Sequence, residues 1–462
     1  MSYKPTSKVT SNAQVPFFFF LLLIAWLPFP LGSNRPWAWG IMEVASYFVL
    51  FSAIYVNIGR VKQLLTPFIL PIALLLIFCF WNIIQIVPLP LSLLSVFSPT
   101  AHSYYEMVNA DFAALSIDVA QSKIMLYKTI SYLCFFISAV MLCNTMQRIR
   151  TVMLVVTFVG VFQAMYGASE VLLNIDNSLI FQLPIKAWAT GTFVYKNHYA
   201  NYLLLCLSMG LGYLVYSLLI TQSSKSSKQK LRSFLNTLLN GKALVRIALA
   251  IMVIALVMSR SRMGNTAFFA AVTVVGLLSL VLIKQRTKGL TILIVSMFII
   301  DMFILSAWFG LDKVKTRLEE TSFSQETRDE VVRDSLPLLE DFTLTGTGMG
   351  SFYTAYPHYT SPEVRGFYDH AHNDYLQFAI EAGIPATIVL FLLPLLAAYK
   401  CVRTLRDRQT PTAKGFAFGA LVAIMGMAVH ISVDFPLQAP ANAALFIVIL
   451  ALAFRVSDRK FR

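Results

Sequence analysis

Three stretches of the chain carry side chains able to do chemistry. The densest is Asp369-His370-Ala371-His372-Asn373-Asp374-Tyr375-Leu376-Gln377. Imidazole, with an ordinary pKa of roughly 6.5, is the natural proton acceptor at neutral pH, and an adjacent carboxylate can fix its tautomer and support the imidazolium. The His-x-His spacing also suits a metal, since alternate residues of an extended segment share a face. No further His, Cys or Glu cluster stands nearby at ligand spacing, and a structural part at a membrane boundary is a third reading. The second stretch is Ser259-Arg260-Ser261-Arg262-Met263-Gly264. A guanidinium fork matches phosphate oxygens bidentately, so a diphosphate ligand fits; snorkelling of Arg260 and Arg262 to lipid headgroups fits as well. The third is Arg328 with Asp329, Glu330 and Arg333, which reads either as a surface ion-pair face or as a further anion contact.

The elements that must hold these residues are set by composition. Of 462 residues, 57% are hydrophobic and 13% charged, with a mean hydropathy of +0.68. A soluble domain carries roughly 25% charge, so the solvent for most of this surface is lipid. Apolar runs of the roughly 17–25 residues needed to span hydrocarbon fall near 15–31, 37–57, 64–86, 128–146, 151–173, 197–220, 244–259, 265–283, 289–310, 376–399, 415–433 and 438–454. The expectation is an all-α polytopic membrane protein with about 12 transmembrane helices and a long outer loop, containing helices, between the ninth and tenth spans. The corresponding division is 1–310 for spans one to nine, 311–375 for the loop and 376–462 for spans ten to twelve and the tail. The first run ends in Pro28-Phe29-Pro30 and Trp37 rather than a small-residue cleavage site, and is expected to stay as a span.

The net charge of +14 invites a nucleic-acid reading, but its placement argues otherwise. Lys4, Lys8, Arg60, Lys62, Arg148, Arg150, the clusters in 225–246, 284–288 and 400–414, and the basic tail all fall in alternate loops. That is the positive-inside pattern: both termini are expected in the cytoplasm and no nucleic acid is implied. The acidic residues and all six histidines (His102, His198, His358, His370, His372, His430) then gather at the opposite face. None of the five cysteines lies in an outer loop, so no disulfide framework is implied. Two outer segments are long. In 87–127, Leu91 to Phe97 reads as an interfacial helix with Tyr104 and Tyr105 at headgroup depth. In 311–375, a helix over 326–342 puts Val331, Val332, Ser335, Leu338, Leu339 and Phe342 on one face, with Pro337 bending it, before the turn Gly346-Thr-Gly348-Met-Gly350. His430 and Asp434, one helical turn apart, read as a structural pair in the last outer turn.

The order of these motifs resembles the O-antigen ligase family of integral-membrane proteins, which also includes O-antigen polymerases and bacterial O-linked oligosaccharyltransferases. The resemblance rests on Gly191-Thr-Phe193-Val-Tyr-Lys196-Asn197-His-Tyr-Ala200-Asn201, on Ser261-Arg262-Met-Gly264, and on Arg328 eighteen residues before Gly346. It continues through Gly346-x-Gly348-x-Gly350-x-Phe352, His372-Asn373-Asp374-Tyr-Leu376 and Val433-Asp434-Phe435-Pro436-Leu-Gln438-x-Pro440-x-Asn442. It covers roughly 190–445; the stretches around Arg35 and Pro88-Leu-Pro90 are similar to some members only.

The resemblance implies transfer of a glycan from undecaprenyl diphosphate to an acceptor hydroxyl at the periplasmic face of a bacterial inner membrane. The acceptor would be lipid A–core for a ligase, another glycan for a polymerase, or a protein hydroxyl for an oligosaccharyltransferase. By motif, His372, Arg262 and Arg328 are the implied catalytic residues, Arg262 and Arg328 holding the diphosphate. His370, Asn373, Asp374, Lys196, Asn197 and Arg260 are implied substrate contacts, and Arg35 is positioned to attract an acceptor. No cofactor or metal is implied: diphosphate is a good leaving group, and no Asp-x-Asp stands in the first outer loop. A secondary transporter is the reading from a different class, but the charges crowd one face and no internal repeat is evident.

Overall fold

The computed structural model describes residues 13–184, 187–220, 241–283, 288–289, 291–296, 298–299, 328–362, 364 and 366–458. It is a bundle of helices with one two-residue antiparallel pairing, Leu89 opposite Ala113 and Pro90 opposite Phe112. In chain order the helices are α1 Gln14–Trp26, α2 Pro36–Val56, α3 Ile69–Ile86, α4 Leu91–Phe97, α5 Pro99–Glu106, α6 Val119–Leu142, α7 Met146–Leu172 and α8 Lys196–Ile220. They continue with α9 Gly241–Met258, α10 Arg262–Leu282, α11 Arg328–Asp341, α12 Asp374–Ala382, α13 Ile384–Asp407, α14 Pro411–His430 and α15 Pro440–Ser457.

Nine helices among the described residues are long and apolar enough to cross a membrane, and Gln14–Trp26 and Ala243–Met258 are shorter apolar ones. The protein is an all-α polytopic membrane protein. The expected span at 289–310 and the first part of the outer loop, 311–327, fall largely outside the described residues.

Between apolar helices in lipid no hydrophobic force selects a neighbour, so close contact rests on small residues. At the centre of the bundle, α8 and α14 meet this way. A Cβ built on Gly212 would stand 2.6 Å from the Gly415 carbonyl, one on Gly415 2.5 Å from the Gly212 carbonyl, and one on Gly419 2.4 Å from the Ser208 carbonyl. The two backbones touch, and α15 closes against them almost wholly buried.

The expected tenth span begins eight residues later than its apolar run. The chain breaks at Gly383, whose φ is +80°, and Ile384 donates its N–H to the Thr343 carbonyl at 2.8 Å. A Cβ at Gly383 would lie 2.3 Å from the Leu344 carbonyl, so only glycine lets that strand of backbone approach. Pro385 is consequently in the first turn of α13, where its missing N–H costs nothing. Between α3 and α6, α4 and α5 lie with α11 and α12 over a second, smaller core of Leu94, Leu115, Val331, Leu338, Phe342, Phe352 and Ile380. In α11 the buried residues Val331, Ser335, Leu338 and Phe342 follow the helical period. This core caps the bundle end where α3, α8, α13 and α15 have their site-proximal termini.

Candidate active site

The site is built outward from the turn Gly346–Gly350. Its three glycines have φ of +69°, +101° and +79°, a path that L side chains rarely follow. The turn knits four elements together. Thr347 and Gly348 donate backbone N–H groups to the carbonyls of Ile380 and Glu381 at 2.8 and 3.0 Å. Gln85, at the end of α3, donates through Nε2 to the carbonyls of Thr345 and Glu381, both at 2.8 Å. Ile117 donates its N–H to the Thr347 carbonyl at 2.9 Å, and Ser122 of α6 donates to the Met349 carbonyl at 2.9 Å.

What the turn holds is Glu381. Its fully buried carboxylate accepts from the N–H groups of Gly350 at 2.9 Å and Phe352 at 3.3 Å, and from Gln377 Nε2 at 3.0 Å. Burial pushes its pKa up to about 7, although those three donors and the ammonium of Lys128 pull the other way. Gln377 passes the order on. Its Oε1 accepts from the Ala371 N–H at 3.2 Å, and its Nε2 lies 3.0 Å from His370 Nδ1. The Gln377 amide oxygen is within reach of the same ring nitrogen at 3.3 Å, and His370 Nε2 lies 3.9 Å from Asp369 Oδ2. Burial lowers the His370 pKa, with Asp369 and Gln377 opposing and Lys128 adding to the fall.

His372 follows in a left-handed backbone conformation, φ +52°, uncommon for a side chain of this size and a form of strain that gathers at functional sites. The residues after it are fixed: Asn373 caps α12 by accepting from the Leu376 N–H at 3.1 Å, and the Asp374 N–H donates to the Ile431 carbonyl at 2.9 Å.

Phe435, in the turn between α14 and α15, orders the rings. Tyr195 and His370 stack on it at 5.3 Å and 4.3 Å, while His198 and His372 meet it near perpendicular at 5.0 Å and 4.8 Å. Three imidazoles from two distant parts of the chain thus converge on one phenyl ring. Its neighbour Asp434 is buried, accepting from the Asn197 amide and, at 2.9 Å, from the Phe435 N–H.

Of the residues singled out in the sequence, His370, His372, Asn373, Asp374 and Asn197 come together here. Their parts differ. Asp374 is fully buried, and its two oxygens accept from the Leu437 N–H and Gln438 Nε2, each at 2.9 Å, which ties α12 to the last turn. Burial raises its pKa to about 8, with Asp434 and Glu381 adding to the rise and the two donors opposing it. Asn197 likewise serves Asp434 and, at 2.7 Å, the Tyr195 hydroxyl.

Arg262 is exposed at the first position of α10, whose cap is Ser261, accepting from the Gly264 N–H at 3.2 Å. That helix start abuts the ring cluster: a Cβ on Gly264 would lie 2.6 Å from the Cβ of Ala200, two residues past His198. Arg260 is exposed with φ +50°, and its carbonyl accepts from Lys196 Nζ at 3.5 Å while Lys196 stands 4.5 Å over the Trp188 ring. Arg35 sits before α2, exposed, its guanidinium on the Asn34 carbonyl at 3.1 Å, outside the ring cluster. Arg328 begins α11, which packs on α12; its side chain lies outside the described set.

The stretch bearing these arginines and the His-Asn motif has a known counterpart. Residues 247–391 match the model of a family described as O-Antigen ligase. The matched stretch is similar to the O-antigen ligase family. It takes in Arg262, Arg328, the glycine turn, His372 and Glu381, and ends before Asp434 and Phe435. A comparison with curated proteins finds no match to the chain. The family supports a membrane-embedded enzyme of the O-antigen ligase or polymerase type, acting as a glycosyltransferase on lipid-linked glycan.

Several residues of the site carry no role in the motifs singled out from the sequence: Gln377, Glu381, Gln85, Tyr195, Phe435 and Lys128. Lys128 is buried in α6 with its Nζ 4.0 Å over the Trp39 ring. The usable signal was the i,i+4 pair Gln377 and Glu381 on one face of a nine-residue helix. Among the described residues no group of three or more His, Cys, Asp or Glu is set to hold a metal ion.

Proposed function

We propose that this protein transfers a glycan from undecaprenyl diphosphate to an acceptor hydroxyl on the periplasmic face of a bacterial inner membrane, and that the acceptor is lipid A–core. The observation that carries the reading is His372: a partly buried imidazole in a strained left-handed conformation, backed by Phe435, at the bundle end where α10 presents Arg262.

In the proposed step the acceptor oxygen attacks the anomeric carbon. The bond from that carbon to the diphosphate oxygen breaks, and its electron pair leaves with the lipid diphosphate. The hydroxyl proton passes to His372, a contribution of the general-base kind typically about 10²–10⁴-fold. Arg262 and Arg328 provide fixed positive charge where negative charge develops on the diphosphate, which needs no metal in this scheme. Lys196 and Arg260 line the approach to Arg262, and His370 is the second imidazole of the pair, with its ring held by Gln377. Asn373, Asp374 and Asn197 hold the geometry rather than the substrate. Arg35, outside the ring cluster, is left to the acceptor side.

The test is His372→Ala in a strain lacking the chromosomal copy, with membrane levels of the protein checked. Loss of the long glycan ladder from lipid A–core, with lipid-linked glycan accumulating, supports both the reaction and the acceptor. A ladder that survives complete deletion removes lipid A–core as acceptor and leaves a polymerase of another polysaccharide or a protein O-oligosaccharyltransferase using the same step.

A further inference from the structure

The end of the bundle opposite the histidines holds a second site. Helix α13 starts at Ile384, against the glycine turn, and runs 24 residues, about 36 Å at 1.5 Å per residue. Its last two turns therefore lie at the far end, as do the start of α3 and the finish of α15. Between these three termini is a cavity of about 530 Å³, inside the range of small-molecule sites, roughly 300–1,000 Å³.

Its lining is divided. Lys400, Arg403 and Arg408 of the α13 end form one wall, together with Asp407. Exposed Pro67 and the rims of Phe68 and Phe454, which are 1% and 5% exposed, supply the apolar lining, beside Asp458. The acids do not cancel the bases. Asp407 is held by Arg406 at 2.8 Å and by Arg403 at 3.6 Å. Arg455 stands with its guanidinium carbon 5.6 Å from the centre of the Phe68 ring, and Asp458 lies in its field. Three cationic side chains and two carboxylates thus line a cavity that is half hydrocarbon, with Arg406 and Arg455 beside the two acids. A soluble phosphate has no use for the apolar wall, and a neutral lipid none for the arginines. An anionic phospholipid uses both: guanidinium forks take phosphate oxygens bidentately, and basic pockets between membrane helices on the cytoplasmic side are the usual seat of such headgroups.

We propose that the cavity between α13, α15 and the start of α3 binds the phosphate headgroup of an anionic phospholipid through Arg403, Arg408 and Lys400, with an acyl chain leaving past Pro67 and the rims of Phe68 and Phe454. The site is remote from the glycosyl-transfer site, and its occupancy is a property of the protein whatever reaction the histidine end performs.

The experiment is native mass spectrometry of the full-length protein in neutral detergent, titrated with phosphatidylglycerol, with phosphatidylcholine of the same chains, and with inorganic phosphate. Phosphatidylglycerol is expected to bind more tightly than phosphatidylcholine. Arg403→Gln and Arg408→Gln each weaken phosphatidylglycerol binding about fivefold, as loss of one basic contact near a charged headgroup does, while Arg403→Lys keeps most of it. Arg403 and Arg408 are partly exposed, so melting temperatures of these variants in lipid-free detergent should match wild type. Equal binding of the two lipids, or phosphatidylglycerol binding unchanged in both single variants, overturns the proposal. Inorganic phosphate that displaces phosphatidylglycerol at millimolar concentration, with the same dependence on Arg403 and Arg408, overturns it in favour of a soluble phosphate.

Discussion

Replacing Gly346 with alanine tests whether the glycine turn holds the site. Two costs follow from the structure. The first is backbone: at φ +69° an alanine sits in the left-handed region at about 1–2 kcal/mol. The second is contact: the new Cβ would stand 2.2 Å from the Glu381 carbonyl oxygen and 2.6 Å from the Gly383 nitrogen. Both neighbours are backbone and cannot swing aside, so the turn must move away from α12. That movement opens the bonds from Thr347 and Gly348 to Ile380 and Glu381, at about 1 kcal/mol each. The sum is about 3–4 kcal/mol. Gly366 supplies the control, having φ +112° and nothing within 4 Å of a built Cβ; Gly366→Ala carries backbone strain alone, about 1–3 kcal/mol. In a fluorescence-monitored melt of the purified protein, Gly346→Ala should melt below Gly366→Ala and below wild type, and it alone should lose the glycan ladder in cells, because Glu381 and Gln377 no longer order the His370–His372 loop. If the two variants melt together and both support the ladder, the turn is not what positions the histidines.

Other outcomes follow from the same geometry. Gly419→Ala should lower the melting temperature, since its Cβ would lie 2.4 Å from the Ser208 carbonyl, whereas Gly40→Ala, with open space around it, should not; equal effects would deny the close approach of α8 and α14. Asp374 and Glu381 have folded pKa values raised to about 8 and about 7, so between their ordinary values and these the native state binds protons that the unfolded state does not. Stability then falls as pH rises through that window: melting at pH 9 should lie below melting at pH 6, and Asp374→Asn should shrink the gap, an unchanged gap placing the titration elsewhere. Arg262→Ala should abolish transfer without lowering the melting temperature, because the side chain is exposed, and Arg262→Lys should restore only part, a lysine lacking the planar fork; full activity in the lysine variant would argue against bidentate phosphate contact.

The membrane bundle was legible because lipid imposes one rule, a long apolar run, and that rule needs no knowledge of neighbours. Helix limits were less so. The run through Phe378, Ile380 and Ala382 into Ile384 shows no change of polarity at Gly383, since the break is imposed by the backbone of Thr343 and Leu344 packing against it. The His-Asn motif could be found from residue type alone. The ring hub could not: Asn197 reaches Asp434 across 237 positions, and no local pattern announces such a pairing. The same limit explains His430 and Asp434, which their spacing suggested as partners. Helix α14 turns that face toward α8, so His430 lies 3.1 Å from the Asn201 amide and Asp434 meets Asn197.

Phe435 also sets an order of events during synthesis. The arginine of α10, the glycine turn and both histidines of the His370–His372 loop are all made before residue 435, and His198 long before. Until α14 has inserted and α15 has followed, those imidazoles have no common surface to rest on, and Asp374 lacks the Leu437 and Gln438 donors that tie its helix down. A ribosome stalled short of that turn would leave a chain holding every reactive group and no assembled site. The enzyme is thereby kept inert until its last hairpin is threaded into the membrane.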